Sequence, residues 1–256
     1  NNKKMDLNSK SRFSDRVENY VKYRPHYPKG VIEYLKTHGI LKSDSTIADI
    51  GSGTGISSEL FLENGNTVYG VEPNAEMREA AENIFKDNQK FISIDATAEE
   101  TSLKDKSIDL IIAGQAFHWF DVEKTKIEFK RILKPGAYII LIWNKRKRGD
   151  SPFQEEYENL LLKYGTDYKE VGHQNIGKEG LSILFDGKFE QINFDNKQVF
   201  DFEGFKGRLL SSSYAPNEGQ ANYQLMLEDL KNIFDKYKKN GAISFEYITE
   251  VYAGVP

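Results

Sequence analysis

The chain contains no cysteine, which excludes disulfides, thiolate-bound metals and a cysteine nucleophile and leaves the redox compartment unspecified. No metal site is expected, because His26, His38 and His173 fall at no ligand spacing and read as surface or structural residues. Long apolar runs are also missing. None approaches the roughly 20 residues that cross a bilayer, and Asn1 to Asp6 has no apolar signal-peptide core. The expectation is a cytoplasmic protein with no membrane partner. A formal charge of −4 argues against a broadly basic nucleic-acid surface.

What is present is an ordinary globular composition, 39% hydrophobic and 29% charged, in 256 residues. That length supports one substantial core with a modest insertion or cap. Apolar runs between breakers predict strands at Ile47–Ile50, Thr67–Val71, Phe91–Ile94, Ile108–Ala113 and Ala137–Trp143. Helices are expected between them at Ile56–Glu63, after a capping Asn74 and at Val122–Leu133, with Met77, Ala80, Ala81 and Ile84 facing inward. Ahead of them, Arg12–Lys22 reads as a short helix ended by Pro25, and Pro28 opens another with Val31, Ile32 and Leu35 on one face. Strands alternating with helices predict a doubly wound parallel α/β sheet.

After Asn144 comes a polar break, then an expected helix at Phe153–Tyr164 and a glycine-dotted segment to Gly187. A strand at Phe189–Phe194, helices at Phe202–Leu210 and Tyr223–Tyr237 and a strand at Ile243–Ala253 complete the pattern.

The stretch Thr46 to Ile56, TIADIGSGTGI, runs an apolar strand into an acidic residue and three glycines. Gly51, Gly53 and Gly55 allow tight turning and close approach of a ligand to the backbone, and the amides of the following helix attract negative charge. A dinucleotide fingerprint places its third glycine where Ile56 stands, which weakens an NAD reading. Glu72, ending the second strand, can accept both ribose hydroxyls of an adenosine cofactor.

Together, DIGSGTG at 49–55, VEPN at 71–74 and LKPGA at 133–137 resemble class I S-adenosylmethionine-dependent methyltransferases. Tyr20 with YRPHYP at 23–28, and AGQAFHWFD at 113–121, are similar to the small-molecule branch of trans-aconitate methyltransferase-like (methyltransferase type 11) proteins. The resemblance spans nearly the whole chain, strongly to Asn144 and more loosely beyond. It implies one domain over 1–256: a helical strap or lid at 1–45, a cofactor-binding core at 46–144, an insertion or cap at 145–187 and closing strands and helices at 188–256. It also implies a Rossmann-like seven-stranded sheet with the last strand antiparallel, and S-adenosylmethionine as cofactor, leaving as S-adenosylhomocysteine.

Carried over by position, the resemblance puts Gly51, Ser52 and Gly53 at the methionine part of the cofactor, Glu72 with Pro73 at the ribose, and Thr97, Ala98 and Glu99 near the adenine. Gln115 and Ala116 border the methionyl end, and Asp49 holds the loop or reaches the ammonium. Tyr20 and Arg24 join the cofactor residues if their segment closes as a lid; otherwise it is a plain strap. Met77 and Phe117 read as core.

Such chemistry is in-line displacement from a sulfonium, achieved mainly by positioning. A carboxylate acceptor needs no base, and Arg24, Arg208 or the Lys145–Arg148 run can orient it. A hydroxyl acceptor needs one. His118 is the candidate, with substrate orientation or a local hydrogen bond as the other reading. Trp119, Arg208 and Tyr214 are the candidate substrate residues, although an ordinary aromatic cap and a capped helix end explain Trp119 and Ser211 to Tyr214 equally well. Lys145–Arg148 otherwise reads as a solvated charge run.

The expected acceptor is a small molecule, bound by a monomer or weak homodimer. A nucleic-acid methyltransferase is the alternative, but AGQA at 113–116 lacks the stacking platform for a flipped base, and covalent C5-pyrimidine chemistry needs a cysteine. A non-catalytic S-adenosylmethionine-binding regulator is the alternative from another class.

Overall fold

The computed structural model describes residues 17–147, 151–165, 177–212 and 214–256. The chain divides into two compact units, one formed by residues 26–145, 175–196 and 248–256, the other by 1–25, 146–174 and 197–247.

The larger unit is built on a sheet. Its strands are β1 (Thr46–Ile50), β2 (Thr67–Val71), β3 (Phe91–Ile94), β4 (Ile108–Gly114), β5 (Leu133–Arg146), β6 (Phe189–Phe200) and β7 (Ile243–Gly254), in the order β3-β2-β1-β4-β5-β7-β6. The first five pair in parallel, and the last strand is antiparallel. Alternation along each strand separates two cores, as a sheet covered on both faces requires. Ala48, Ile50, Ile111, Ala113, Ile139 and Leu141 pack on one face, where α4 (Val122–Ile132) and α6 (Lys178–Phe185) bring Phe129, Ile132, Leu181 and Leu184. Ile47, Leu110, Ile112, Ile140 and Ile142 pack on the other, against Val31, Ile32 and Leu35 of α1 (Gly30–Thr37) and Leu60 and Phe61 of α2 (Ile56–Glu63). α3 (Ala75–Ile84) follows β2, and the Asn74 side chain caps it by accepting the Met77 N–H at 3.0 Å.

The helices of the smaller unit are residues 17–23, α5 (Pro152–Tyr164), α7 (Phe202–Leu210) and α8 (Tyr223–Tyr237), and residues 197–200 of β6 and 243–247 of β7 also belong to it. Phe153, Tyr157, Phe205, Leu230, Phe245 and Tyr247 form its core.

Four expectations are corrected. Ile84, placed inward by periodicity, is 45% exposed, and only Ala81 of α3 is fully buried; the helix ends there and leaves its last turn uncovered. α6 stands within the glycine-dotted segment to Gly187, for which no helix was expected. Gly180 lies inside it because Phe117 packs 3.3 Å from where its β-carbon would be. β6 runs to Phe200, its alternation hidden by polar residues on its exposed face. β5 starts at Leu133, because Lys134 to Ala137 form a bulge opposite β4, with Gly136 at φ +75°. Residues 12–16 of the expected first helix, His173 and Ser213 lie outside the described residues. No described helix is long and apolar enough to cross a membrane.

Candidate active site

The carboxyl edge of β1, β2 and β4 collects the glycine loop and its partners, as the crossover geometry of a parallel sheet dictates. Leaving β1, the chain turns at Gly51 (φ +68°), and the N–H groups of Gly51 and Ser52 donate to the Val71 carbonyl at 2.8 and 3.2 Å. A β-carbon on Gly51 would lie 2.6 Å from that of Ala116, whereas one on Gly53 (φ +55°) would meet nothing within 4 Å. The loop is packed on one side and open at Gly53.

Glu72 locks this turn. Its Oε2 accepts the Gly53 N–H at 2.9 Å and its Oε1 the Asn74 N–H at 2.8 Å. Arg78 donates to the Glu72 carbonyl at 2.8 Å and pairs with Asp95 at 3.1 Å. Asp49 is fully buried, and its Oδ2 accepts from Ser57 and Ser58 at 2.8 and 2.6 Å. Its Oδ1 is buried with no partner among the described residues. Burial pushes the Asp49 carboxyl up to about 6, against the Ser58 and Ser57 hydrogen bonds and with help from the Glu72 charge.

Beyond β4, Gln115 takes φ +55°, a conformation that side chains rarely adopt. Its N–H donates to the Ile142 carbonyl at 2.9 Å and its Oε1 accepts the Asn144 N–H at 2.5 Å. Ala116 is buried over Gly51. The following 3₁₀ turn, Phe117–Trp119, buries Phe117, places the His118 ring 4.6 Å from that of Trp119 and 5.2 Å from that of Trp143, and leaves Trp119 72% exposed.

Residues 48–141, which contain this whole edge, match the methyltransferase domain family. An uncharacterized methyltransferase of Schizosaccharomyces pombe is 26% identical over 94% of this chain and 95% of its own length. One of Mycobacterium tuberculosis is 32% identical over 52% of each chain, so this chain spans about half of that relative. The fold matches that of a putative type II methyltransferase from Anaeromyxobacter dehalogenans, with a TM-score of 0.64 at 19% identity over 91% of this chain and 97% of that one. Residues 48–141 form a methyltransferase domain, and its cofactor is S-adenosylmethionine.

The methyltransferase's edge suits that cofactor chemically. An ammonium is a matching donor for the unpartnered Oδ1 of Asp49. Each oxygen of Glu72 spends one lone pair on a backbone N–H and keeps another for a hydroxyl. The open backbone at Gly53 leaves room where a side chain would otherwise stand. Pro73 and Thr97 are exposed, Ala98 packs into the core, and Glu99 accepts the Asp121 N–H at 2.9 Å. Asp95, directly after β3 and held by Arg78, belongs to the same edge and was missed. Its signal was positional: the first residue beyond a parallel strand, beside the picked Thr97. Phe117 is core as expected, and Met77 is half-buried.

The smaller unit holds Tyr20, Arg24, Arg208 and Tyr214. The Arg24 guanidinium lies 4.9 Å from the Tyr20 ring centre and donates to the Ser211 carbonyl at 3.3 Å, while its Nε is buried without a partner among the described residues. Arg208, 6% exposed, donates to the Tyr247 hydroxyl at 3.4 Å and the Ser212 hydroxyl at 3.3 Å. Among the described residues neither guanidinium meets a carboxylate. Burial, then the Arg208 charge, lowers the pKa of Arg24. Burial also works against Arg208, yet Tyr247, Tyr157 and Tyr214 around it hold its pKa above the ordinary value.

Arg146 corrects the reading of Lys145–Arg148 as a solvated run. Its side chain is 11% exposed, pairs with Glu158 and lies 5.1 Å from the Tyr157 ring centre. Lys145 pairs with Glu250 at 3.6 Å, and Arg148 lies outside the described residues. Tyr157, whose buried hydroxyl has no partner among the described residues, was not anticipated. In the larger unit His26 pairs with Glu59 at 2.7 Å, which raises its pKa, and His38 stacks on Tyr34 at 4.0 Å. Both fit structural roles. No metal-binding cluster occurs among the described residues.

Proposed function

We propose that this methyltransferase methylates a small molecule bearing an anionic group, such as a carboxylate, acting in the cytoplasm as a monomer or weak homodimer. The observation that carries this reading is the pair of buried Arg208 and half-buried Arg24, with hydroxyls, rings and carbonyls around them and no carboxylate among the described residues. Charges withdrawn from water and left unanswered are costly, and an anionic ligand answers them. Their burial also separates them from a basic surface of the kind that tracks nucleic acid.

When bound, S-adenosylmethionine supplies a methyl group on a sulfonium, open to in-line attack. The chain's own residues then bind and orient. Asp49 takes the ammonium, Gly51 to Gly53 present backbone to the methionine part, and Glu72 holds the ribose hydroxyls. Thr97 to Glu99 and Asp95 border the adenine, and Gln115 and Ala116 the methionyl end. Trp119 offers an exposed ring to the acceptor. His118 orients it, or takes its proton if the atom methylated is a hydroxyl. A carboxylate needs no base, and this agrees with the trans-aconitate-like resemblance of the 23–28 and 113–121 segments.

The test is formation of S-adenosylhomocysteine with a panel of small carboxylic acids, their amides, amines and RNA fragments. Acids are expected to react, and Arg208→Met to lose at least about tenfold in kcat/KM for them, the scale of one charged hydrogen bond. Equal rates with amides or amines, or transfer to RNA, would overturn the reading.

A further inference from the structure

Asn144, on β5 directly beyond Trp143, is buried and ties together separate segments of the larger unit. Its N–H donates to Gln115 Oε1 at 2.5 Å. Its Nδ2 donates to the His26 carbonyl at 3.3 Å, and its Oδ1 accepts from the Thr249 hydroxyl of β7 at 2.5 Å and from Asn196 Nδ2 of β6 at 3.2 Å. Asn196 Nδ2 also donates to the His26 carbonyl, at 2.7 Å. Two amides therefore grip that carbonyl, and the Asn144 amide has one orientation in which each of these contacts runs from donor to acceptor.

The segments that Asn144 joins meet at the end of β4. Tyr27 is buried, and its hydroxyl lies 2.6 Å from where a β-carbon on Gly114 would stand, with Ser57 Oγ 3.1 Å from the same point. Ser57 donates to Asp49, and His26 reaches the same helix, α2, through Glu59 at 2.7 Å. Gln115, the residue after Gly114, takes φ +55°, a backbone that persists where its surroundings fix it. The Ile142 carbonyl and the Asn144 N–H hold it at both ends. An apolar residue would serve the packing of a buried strand. Hydrogen bonds to Gln115, His26, Thr249 and Asn196 serve the placement of four segments instead.

We propose that Asn144 is a positioning residue for cofactor binding: it sets residues 26–28 and Gln115 against each other as two walls of the methionyl end of the site. This rests on the reading above, in which Asp49, Gln115 and Ala116 border that end. Removing the Asn144 side chain takes one donor from the His26 carbonyl and the acceptor from Thr249, so the two walls lose their common anchor.

The test uses the full chain and calorimetric titration of S-adenosylhomocysteine, with thermal unfolding of each variant alongside. Asn144→Ala is expected to weaken binding about tenfold, the scale of one or two hydrogen bonds. Thr249→Val removes the donor that orients the amide; it should weaken binding too, yet add nothing in the Asn144→Ala background. Asn144→Asp keeps the acceptor for Thr249 but turns a second oxygen toward the His26 carbonyl, and protonation makes that oxygen a donor again. Its affinity, as a ratio to wild type, should climb toward one on acidification from about pH 8 to 5, the range into which burial lifts a carboxyl. The Asn144→Ala ratio should stay flat. Dividing by wild type removes the pH dependence that Asp49 and the His26–Glu59 pair bring to every variant. Wild-type affinity in Asn144→Ala, additive losses with Thr249→Val, or a flat ratio in Asn144→Asp overturns the positioning role. The cofactor reading fails separately, if Asp49→Asn and Gln115→Ala both bind as wild type does, and takes the proposal with it. If Asn144→Ala does not fold, Asn196→Ala decides. By removing the other donor on the His26 carbonyl it should weaken binding about threefold, and wild-type affinity there overturns the proposal.

Discussion

Gly51 and Ala116 approach so closely that a β-carbon on Gly51 would lie 2.6 Å from that of Ala116. Gly53, two residues on, shares the left-handed backbone but faces nothing within 4 Å. Alanine at the two positions should therefore separate packing from binding. Gly51→Ala is expected to lose about 2 kcal/mol or more, because overpacking adds to the left-handed backbone cost. Gly53→Ala should lose only about 1 to 2 kcal/mol, the backbone cost alone. Both should weaken S-adenosylhomocysteine binding at least about tenfold, a loss of roughly 1.4 kcal/mol. Thermal unfolding and calorimetry read the two effects; wild-type affinity in Gly53→Ala would mean that the open side does not face the cofactor.

Asp49 should make both stability and cofactor affinity depend on pH near 6. Its folded value, about 6, lies above the ordinary 3.8, so the folded state holds the proton more tightly. The stability it contributes is complete below 3.8 and is lost as pH rises through about 6. A gap of about two pKa units sets an upper bound of about 3 kcal/mol. Asp49→Asn should flatten this slope in urea titrations between those values. Affinity for S-adenosylhomocysteine should run oppositely, rising as Asp49 ionises to meet the ammonium, and stay flat in Asp49→Asn. A wild-type affinity unchanged across that window would remove Asp49 from the ammonium site.

Gly207 reverses a usual rule. Alanine inside a helix normally stabilises by about 1 kcal/mol relative to glycine. Gly207 lies within α7, but a β-carbon there would fall 2.0 Å from the Tyr23 ring. Tyr23 is held by Phe200 at 6.4 Å between ring centres, and its carbonyl accepts from Gln198 at 3.0 Å. Gly207→Ala is therefore expected to destabilise by roughly 1 to 3 kcal/mol, measured by denaturant unfolding. Displacing Tyr23 also disturbs Arg24 beside it, so affinity for a dicarboxylate such as succinate should fall in parallel.

The strand-end edge that holds the glycine loop was legible because its determinants are local. Asp49, Gly51, Gly53 and Glu72 sit at the ends of short apolar strands, and such strands are readable when both faces are buried, as in β1 and β2. The arginine cluster was only half legible. Arg24 and Arg208 stood out as cations near motifs, but Tyr157, Tyr247 and the inward turn of Arg146 come from distant elements that only the packed fold brings together. α6 was hidden by its glycines, one of which makes room for Phe117. Local pattern reports backbone preference, and says little about which side chain needs the space of a missing one.

Glu128 binds the segment after β3 to α4, and its removal should loosen that segment without touching the glycine loop. Its Oε1 accepts the Thr101 N–H and hydroxyl at 2.8 and 2.6 Å, and Arg131 grips both of its oxygens at 2.8 and 2.7 Å. Burial opposes its charge, but the Arg131 and Thr101 hydrogen bonds overcome it and hold the carboxyl down to about 2. The stability it contributes is therefore full above the ordinary 4.5 and is lost as pH falls toward about 2. Glu128→Gln keeps one acceptor but turns an amide group toward Arg131, and is expected to cost roughly 1 to 3 kcal/mol at neutral pH. Urea unfolding of the two proteins should show that gap narrowing as the medium is acidified below 4.5. A gap independent of pH would mean that Glu128 acts through shape and not through charge.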